Sequence, residues 1–267
     1  VPRGFPLDAS TFGLVQFQVA PKSEKELAGM SSVIEVRTVN YPESDGKPMG
    51  ETDEHRDEMV REIELLRRYY QGQQVYVSGN LLFYYVQGDP KKFVVPDVFV
   101  VKDADPKKRR TYKLWIERKT PDAVIEVTSR KTKKKDQVAK PALYRQLRVR
   151  EYFLFDPTQD YLHPPLQGYR LVGDRYVQIK PDAQEGLVSR ELGLRLQAER
   201  GRLMLYRLDT GERLLTADEA RQAAEQARQV SEQARQAAER ARQAAEQARQ
   251  AAEAEVARLR EELRLRA

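Results

Sequence analysis

The sequence predicts an α/β core, a mixed sheet flanked by helices, followed by a β-rich extension and a long C-terminal helix or coiled coil. Three observations carry this expectation. Between residues 50 and 157, short runs rich in Val, Ile, Phe and Tyr alternate with helical patterns, the sign of crossover units in a sheet covered by helices. Between 169 and 215, β-like runs are punctuated by Gly173-Asp174 and Thr210-Gly211. From Ala220 onward the chain repeats every seven residues.

Residues 1–49 read as a leader. Val1-Pro2-Arg3-Gly4 matches part of a thrombin recognition sequence, and Met30 followed by Ser31-Ser32-Val33-Ile34 reads as a start, so residues 1–29 are set aside as vector-derived or over-extended. Residues 41–50 hold Pro, Gly, Ser and Asp and read as loop. A helix is expected over 51–70, with Met59, Ile63, Leu66 and Tyr70 forming its apolar face and Gly72 ending it. Strands are expected at 75–78, 81–86, 93–101, 112–116, 123–127 and 151–155, with Gly79-Asn80 as a hairpin turn between the first two. A helix is expected near 137–147. Pro141 disfavours a helix interior, so that helix either starts at about Lys140 or kinks there.

The tail, residues 216–267, opens on a capping box of Thr216 and Glu219. Its seam runs through Ala220, Ala223, Ala227, Val230, Ala234, Ala237, Ala241 and Ala244, with Val256, Leu259 and Leu263 as a more apolar end. Seven-residue periodicity favours a homo-oligomeric coiled coil through 217–267, although alanine buries little area. The competing reading is a lone helix sustained by alanine propensity and Glu–Arg pairs.

Composition removes several function classes. The chain has no cysteine and two histidines, His55 and His163. Disulfides, thiolate zinc sites and cysteine nucleophiles are therefore excluded, and a His-rich metal centre with them. A metal here would be held by carboxylate oxygen, which favours magnesium, with manganese as the alternative. The lack of cysteine fits a cytoplasmic setting, and no apolar run reaches the roughly 20 residues needed to span a bilayer. The net charge is +6, yet residues 217–267 carry ten Arg against ten Asp plus Glu, so the excess lies in the body. It gathers at Lys107, Lys108, Arg109, Arg110, Lys113, Arg118 and Lys119, and at Arg130, Lys131, Lys133, Lys134 and Lys135. Such clustering is the electrostatic footprint of a nucleic-acid surface, or else a solvated face.

The chemistry centres on two acids. Asp97 follows Pro96 and opens an apolar run, while Glu126 stands inside the run Ala123-Val124-Ile125-Glu126-Val127. A carboxylate inside an apolar strand is costly unless it is paired or bound to metal. Alternation puts Val124, Glu126 and Thr128 on one side of that strand. A cation shared with Asp97 would satisfy Glu126, and so would a salt bridge to a lysine or arginine.

These residues, with Thr132, Asp136, Lys140 and Tyr144 and the run from Val149 through Glu151-Tyr152-Phe153-Leu154-Phe155-Asp156-Pro157, resemble the Uma family of restriction endonucleases, a branch of the PD-(D/E)XK superfamily. The resemblance covers about 110 residues, from the helix of His55 to Pro157. It implies a restriction-endonuclease-like core and a magnesium-dependent endonuclease acting on DNA phosphodiesters. It further implies Asp97 and Glu126 as the metal-binding acids and Lys140 as the catalytic lysine. Thr128 stands where the superfamily pattern has its lysine, and the Uma-like pattern moves that lysine to the following helix. Lys131 is the competing lysine, Asp136 caps the helix or orients Lys140, and His55 is an auxiliary candidate. Lys107, Lys108, Arg109, Arg110, Arg130, Lys133, Lys134 and Lys135 are the expected phosphate contacts. The alternative is a catalytically inactive nucleic-acid-binding or scaffold protein assembled through its tail. A β-rich adaptor is a third reading, and it gives no account of Glu126.

Overall fold

The computed structural model describes residues 39–44, 46, 52–129 and 135–266. Most of the leader, and Arg130, Lys131, Lys133 and Lys134, lie outside the described residues, as does the side chain of Lys135.

The first helix, α1 (Asp53–Tyr69), starts at Thr52, whose hydroxyl accepts the His55 backbone N–H at 3.3 Å. Strand β1 (Val75–Ser78) follows. Two short strands, β2 (Phe83–Tyr84) and β3 (Phe93–Val94), precede β4 (Val98–Lys102), β5 (Tyr112–Lys113), a helical turn α2 (Leu114–Glu117) and β6 (Ala123–Val127). A five-residue π-helical turn (Lys135–Ala139) leads into α3 (Lys140–Gln146). Then come β7 (Glu151–Phe155), β8 (Leu166–Val172), β9 (Arg175–Gln178), β10 (Leu187–Ser189), β11 (Leu194–Glu199), β12 (Arg202–Arg207) and α4 (Ala217–Arg266).

The main sheet has six strands in the order β1-β4-β6-β7-β8-β9, with only β6 and β7 parallel. The parallel pair is joined through the π-turn and α3, as a crossover requires. One face buries Val98, Val100, Ile125 and Val127 under α1 and the small sheet β10-β11-β12. The other buries Phe99, Val124, Tyr152 and Leu154 under Tyr144 of α3 and the small sheet β3-β2-β5.

Several expectations are corrected. The division at 157/158 falls inside the main sheet, because β8 and β9 extend it; only β10 to β12 form a separate β layer. Gly79-Asn80 does not close a hairpin, since β1 pairs with β4 and β2 belongs to another sheet. The expected strand 93–101 is broken at Pro96-Asp97, where proline has no N–H to give the ladder. The expected strand 112–116 turns helical after Lys113 and ends at Arg118, whose φ is +55°. Pro141 lies in the first turn of α3, which tolerates it, and the regular helix starts at Lys140.

The tail is one continuous 50-residue helix. Its capping box forms as expected: the Glu219 N–H donates to Thr216 Oγ1 at 3.2 Å, and the Thr216 N–H to Glu219 Oε2 at 2.9 Å. From residue 221 to 265 its side chains are exposed, Val230, Val256, Leu259 and Leu263 among them. No described helix is long and apolar enough to cross a membrane.

Candidate active site

The two acids meet at one end of the β4–β6 pair. The register Val98↔Ile125 sets Asp97, one step further, opposite Glu126. The Asp97 backbone N–H donates to Glu126 Oε2 at 3.3 Å, and Asp97 Oδ2 accepts the Val127 N–H at 2.9 Å. Each acid is therefore bonded to the backbone of the strand bearing the other. His55, 2% exposed in the first turn of α1, brings Nε2 to 3.2 Å from Asp97 Oδ2. Gly79 is required here: a Cβ on it would lie 1.8 Å from the Asp97 carbonyl oxygen.

Helix α3 closes the site from the other sheet face. Lys140 Nζ donates to Glu126 Oε2 at 2.7 Å, and the Tyr144 hydroxyl donates to Glu126 Oε1 at 2.6 Å. Residues four apart share a helix face, so one helical turn engages both oxygens of the glutamate. Lys140 also lies 3.0 Å from Asp136 Oδ1. Among the described residues no side chain caps α3, so the contact Asp136 makes here is its ion pair with Lys140. The Glu126 side chain is fully buried, whereas those of Asp97 and Lys140 keep 13% and 17% exposure, so the site opens to solvent beside them.

A family model described as "Uma2: Putative restriction endonuclease" matches residues 44–206, more than half of the chain. The chain belongs to the Uma2 family. The match runs past Pro157 through β8 to β11 and most of β12, in keeping with a main sheet that continues there. No curated protein matches the chain. Among solved structures, one titled a putative nuclease belonging to DUF820 from Anabaena variabilis is 15% identical over 58% of this chain and 86% of its own, at a TM-score of 0.40.

The acids and the lysine of this Uma2 site shift one another's protonation. Burial pushes the Glu126 carboxyl well above the usual range; Lys140 opposes the rise, and Asp97 and Asp136 add to it. Burial acts against the Lys140 charge too, but Glu126, Asp97 and Asp136 together hold its ammonium protonated well beyond the ordinary lysine range. Asp97 ends below its ordinary value because the His55 hydrogen bond and the Lys140 charge outweigh burial. Three carboxyl groups, of Asp97, Glu126 and Asp136, thus surround the one Lys140 ammonium, an oxygen-rich donor set of the kind a hard divalent cation takes. Among the described residues no three His, Asp or Glu side chains form a complete metal cage. A cation on Asp97 and Glu126 would complete its shell with water and substrate oxygen, as magnesium commonly does.

Glu62 was not singled out in the sequence. It is fully buried on α1, and among the described residues neither carboxyl oxygen has a hydrogen-bond partner. Burial, and the charges of Glu58 and Asp97, push its carboxyl well above the ordinary value of 4.5. The folded state thus holds a proton that the unfolded chain releases, so Glu62 erodes stability as pH rises from about 4.5 toward its raised value. Glu62→Met is expected to stabilise the fold at pH 8 by about 1–3 kcal/mol, because an apolar side chain avoids the cost of a buried, unpaired acid. Urea melts should show that gain shrinking toward pH 4.5. An unchanged or lower midpoint at pH 8 would contradict the assignment.

The predicted phosphate contacts divide. Arg109 forms a bidentate pair with Glu117 at 2.7 and 2.9 Å, bonds the Asp105 and Lys107 carbonyls and lies 4.1 Å over the Tyr76 ring. With its side chain 6% exposed, its guanidinium is taken up by these contacts. Lys107 lies 3.3 Å from Asp105, Arg110 lies 2.5 Å from Glu43, and both side chains are largely exposed, as is Lys108. This loop follows the Lys102 end of β4, so about 17 Å of strand separates its start from Asp97.

Proposed function

We propose that this Uma2 chain is a magnesium-dependent endonuclease that hydrolyses DNA phosphodiester bonds. The observation that carries the reading is Lys140 Nζ, 2.7 Å from a glutamate set opposite Asp97. A lysine from the following helix thus stands beside the two acids, which supports its taking the role that Thr128 cannot fill. Asp97 and Glu126 would hold Mg2+, with Mn2+ as a substitute. Such an ion, held there, would supply acidification of a water and charge neutralisation at a phosphate oxygen. His55 and the Val127 N–H fix the Asp97 carboxylate, and Tyr144 fixes that of Glu126. The Lys140 ammonium, steered by Asp136, offsets negative charge developing on the phosphorus oxygens. Lys107, Lys108 and Arg110 would contact phosphates further along the strand.

Cleavage of labelled single- and double-stranded DNA, with Mg2+ and with EDTA, tests the reading. Mg2+-dependent internal cuts are expected; their absence from every nucleic-acid form removes it.

We further infer that α4 assembles two or more copies through its heptad stripe. The support is the repeat itself and the exposure of that stripe along the helix. Alanine seams bury little, so association should be modest, in the tens of micromolar by order of magnitude. Sedimentation should show self-association of the full chain and a folded monomer for residues 1–216. A full-length monomer at that concentration would leave α4 a lone helix.

A further inference from the structure

The row of paired residues that contains Glu126 continues across the sheet. Glu126 is in register with Leu154 on β7, and Leu154 with Gln167 on β8. Directly paired residues project to the same face, so Gln167 stands two strand spacings from Glu126, about 10 Å away on the side that α3 covers. There the structure has a cleft of about 280 Å³, lined by Gln137, Pro141, Leu154, Gln167, Tyr169 and Tyr176. Pro141 directly follows Lys140, so one helical turn forms both the catalytic face and the cleft wall. Gln137 belongs to the π-helical turn, a distortion often found at functional sites.

The lining has a definite chemistry. Tyr169 and Tyr176 offer aromatic surface, and both rings rest on Tyr152, with centroids 6.4 and 6.2 Å away. The Tyr176 hydroxyl is tied to the Val149 carbonyl at 2.8 Å, and the Tyr169 hydroxyl donates to Gln167 Oε1 at 2.9 Å, which fixes that amide. Leu154 and Pro141 supply apolar surface. Two amides, Gln137 and Gln167, each offer donor and acceptor groups and no charge. Flat stacking surface with neutral edge-reading groups suits a nucleobase. A phosphate would find no cation among these six residues.

We propose that this cleft receives one unpaired nucleobase of the strand whose phosphodiester lies at Asp97, Glu126 and Lys140. The proposal rests on the nuclease reading and sharpens it. The substrate is single-stranded or locally unpaired nucleic acid, because a base held in a duplex stack cannot enter. Gln137 and Gln167 would then bias which base is accepted.

The test uses full-length protein with Glu126→Gln, which blocks cutting during binding measurements. Anisotropy is read with a mixed-sequence single strand, the same strand carrying one abasic position walked along it, and a fully paired duplex. Adding Tyr169→Ala should weaken single-strand binding about tenfold, the scale of one lost base–aromatic stack, and Tyr169→Phe should restore it. One abasic position should reproduce the loss in the unsubstituted Tyr169 background and add nothing in Tyr169→Ala. Gln137→Ala, an exposed change that leaves the core intact, should alter preference among the four bases at that position. Single-strand binding insensitive to both Tyr169→Ala and the abasic walk overturns the proposal, even if Mg2+-dependent cutting by the wild type stands. Conversely, a wild type that never cuts but shows Tyr169-dependent binding keeps the pocket and removes the nuclease reading.

Discussion

Glu126→Gln should reduce Mg2+-dependent cleavage by about 10³-fold or more, equivalent to about 4 kcal/mol of transition-state stabilisation, while leaving the protein folded. The amide keeps the shape of the side chain and a carbonyl oxygen to accept from Tyr144 or Lys140, so the packing between β6 and α3 survives. What is lost is one of the two charges that would hold the cation. The buried site also sheds a charge whose desolvation was costly, and stability should therefore change little. Calorimetric titration with Mg2+ alone should show weakened binding in parallel with the lost activity. Unchanged cleavage by purified Glu126→Gln protein would falsify the metal role of Glu126.

Lys140→Met should have two effects of similar weight. Activity should fall about 10²–10³-fold, the scale of removing one charged group from a developing oxyanion. The fold should lose about 3–5 kcal/mol, because Glu126 and Asp136 keep their burial and lose their counter-charge. The double variant Glu126→Gln/Lys140→Met separates these effects. It should recover much of the stability and none of the activity, since the buried glutamate no longer needs a partner. Denaturant melts of the single and double variants measure the coupling. Additive losses would show that the 2.7 Å contact contributes nothing specific.

The sequence made the chemistry legible where it conflicted with its surroundings. Glu126 inside an apolar strand required a partner, and Asp97 opened the neighbouring apolar run, although the break of the strand at Pro96-Asp97 was not anticipated. Lys140 and Tyr144, four residues apart, point at one target, Glu126, which family likeness had already marked. The buried face of α1 was less legible. Spacing suggested Met59, Ile63, Leu66 and Tyr70, and all four pack on the core, but the buried face is wider and also holds His55, Glu58, Glu62 and Leu65. Two tertiary contacts account for the polar part of that face. His55 must reach Asp97, and Glu58 accepts the Leu203 N–H at 2.6 Å where the last sheet docks. One signal was available: Glu62 lies seven residues after His55, two helical turns along the same face. Asp156 and Glu151 were likewise opaque. Asp156 accepts N–H groups from Thr158, Gln159, Tyr161 and Leu162, and Glu151 gathers Arg170, Ser189 and the Arg190 and Glu191 N–H groups. Both are buried acids explained by loop closure, and their partners lie too far along the chain, or in too irregular a loop, for periodicity to reveal.

Helix α4 is also a ruler. Fifty residues at about 1.5 Å each make a rod of about 75 Å, comparable to roughly twenty base pairs of duplex. Under the assembly proposed above, the direction in which two such helices pair would translate into a distance along bound DNA. Copies joined side by side in parallel would bring their catalytic heads together over neighbouring phosphates. Copies joined head to tail would hold them about two turns of duplex apart. The spacing between paired cuts would report which way the rods run.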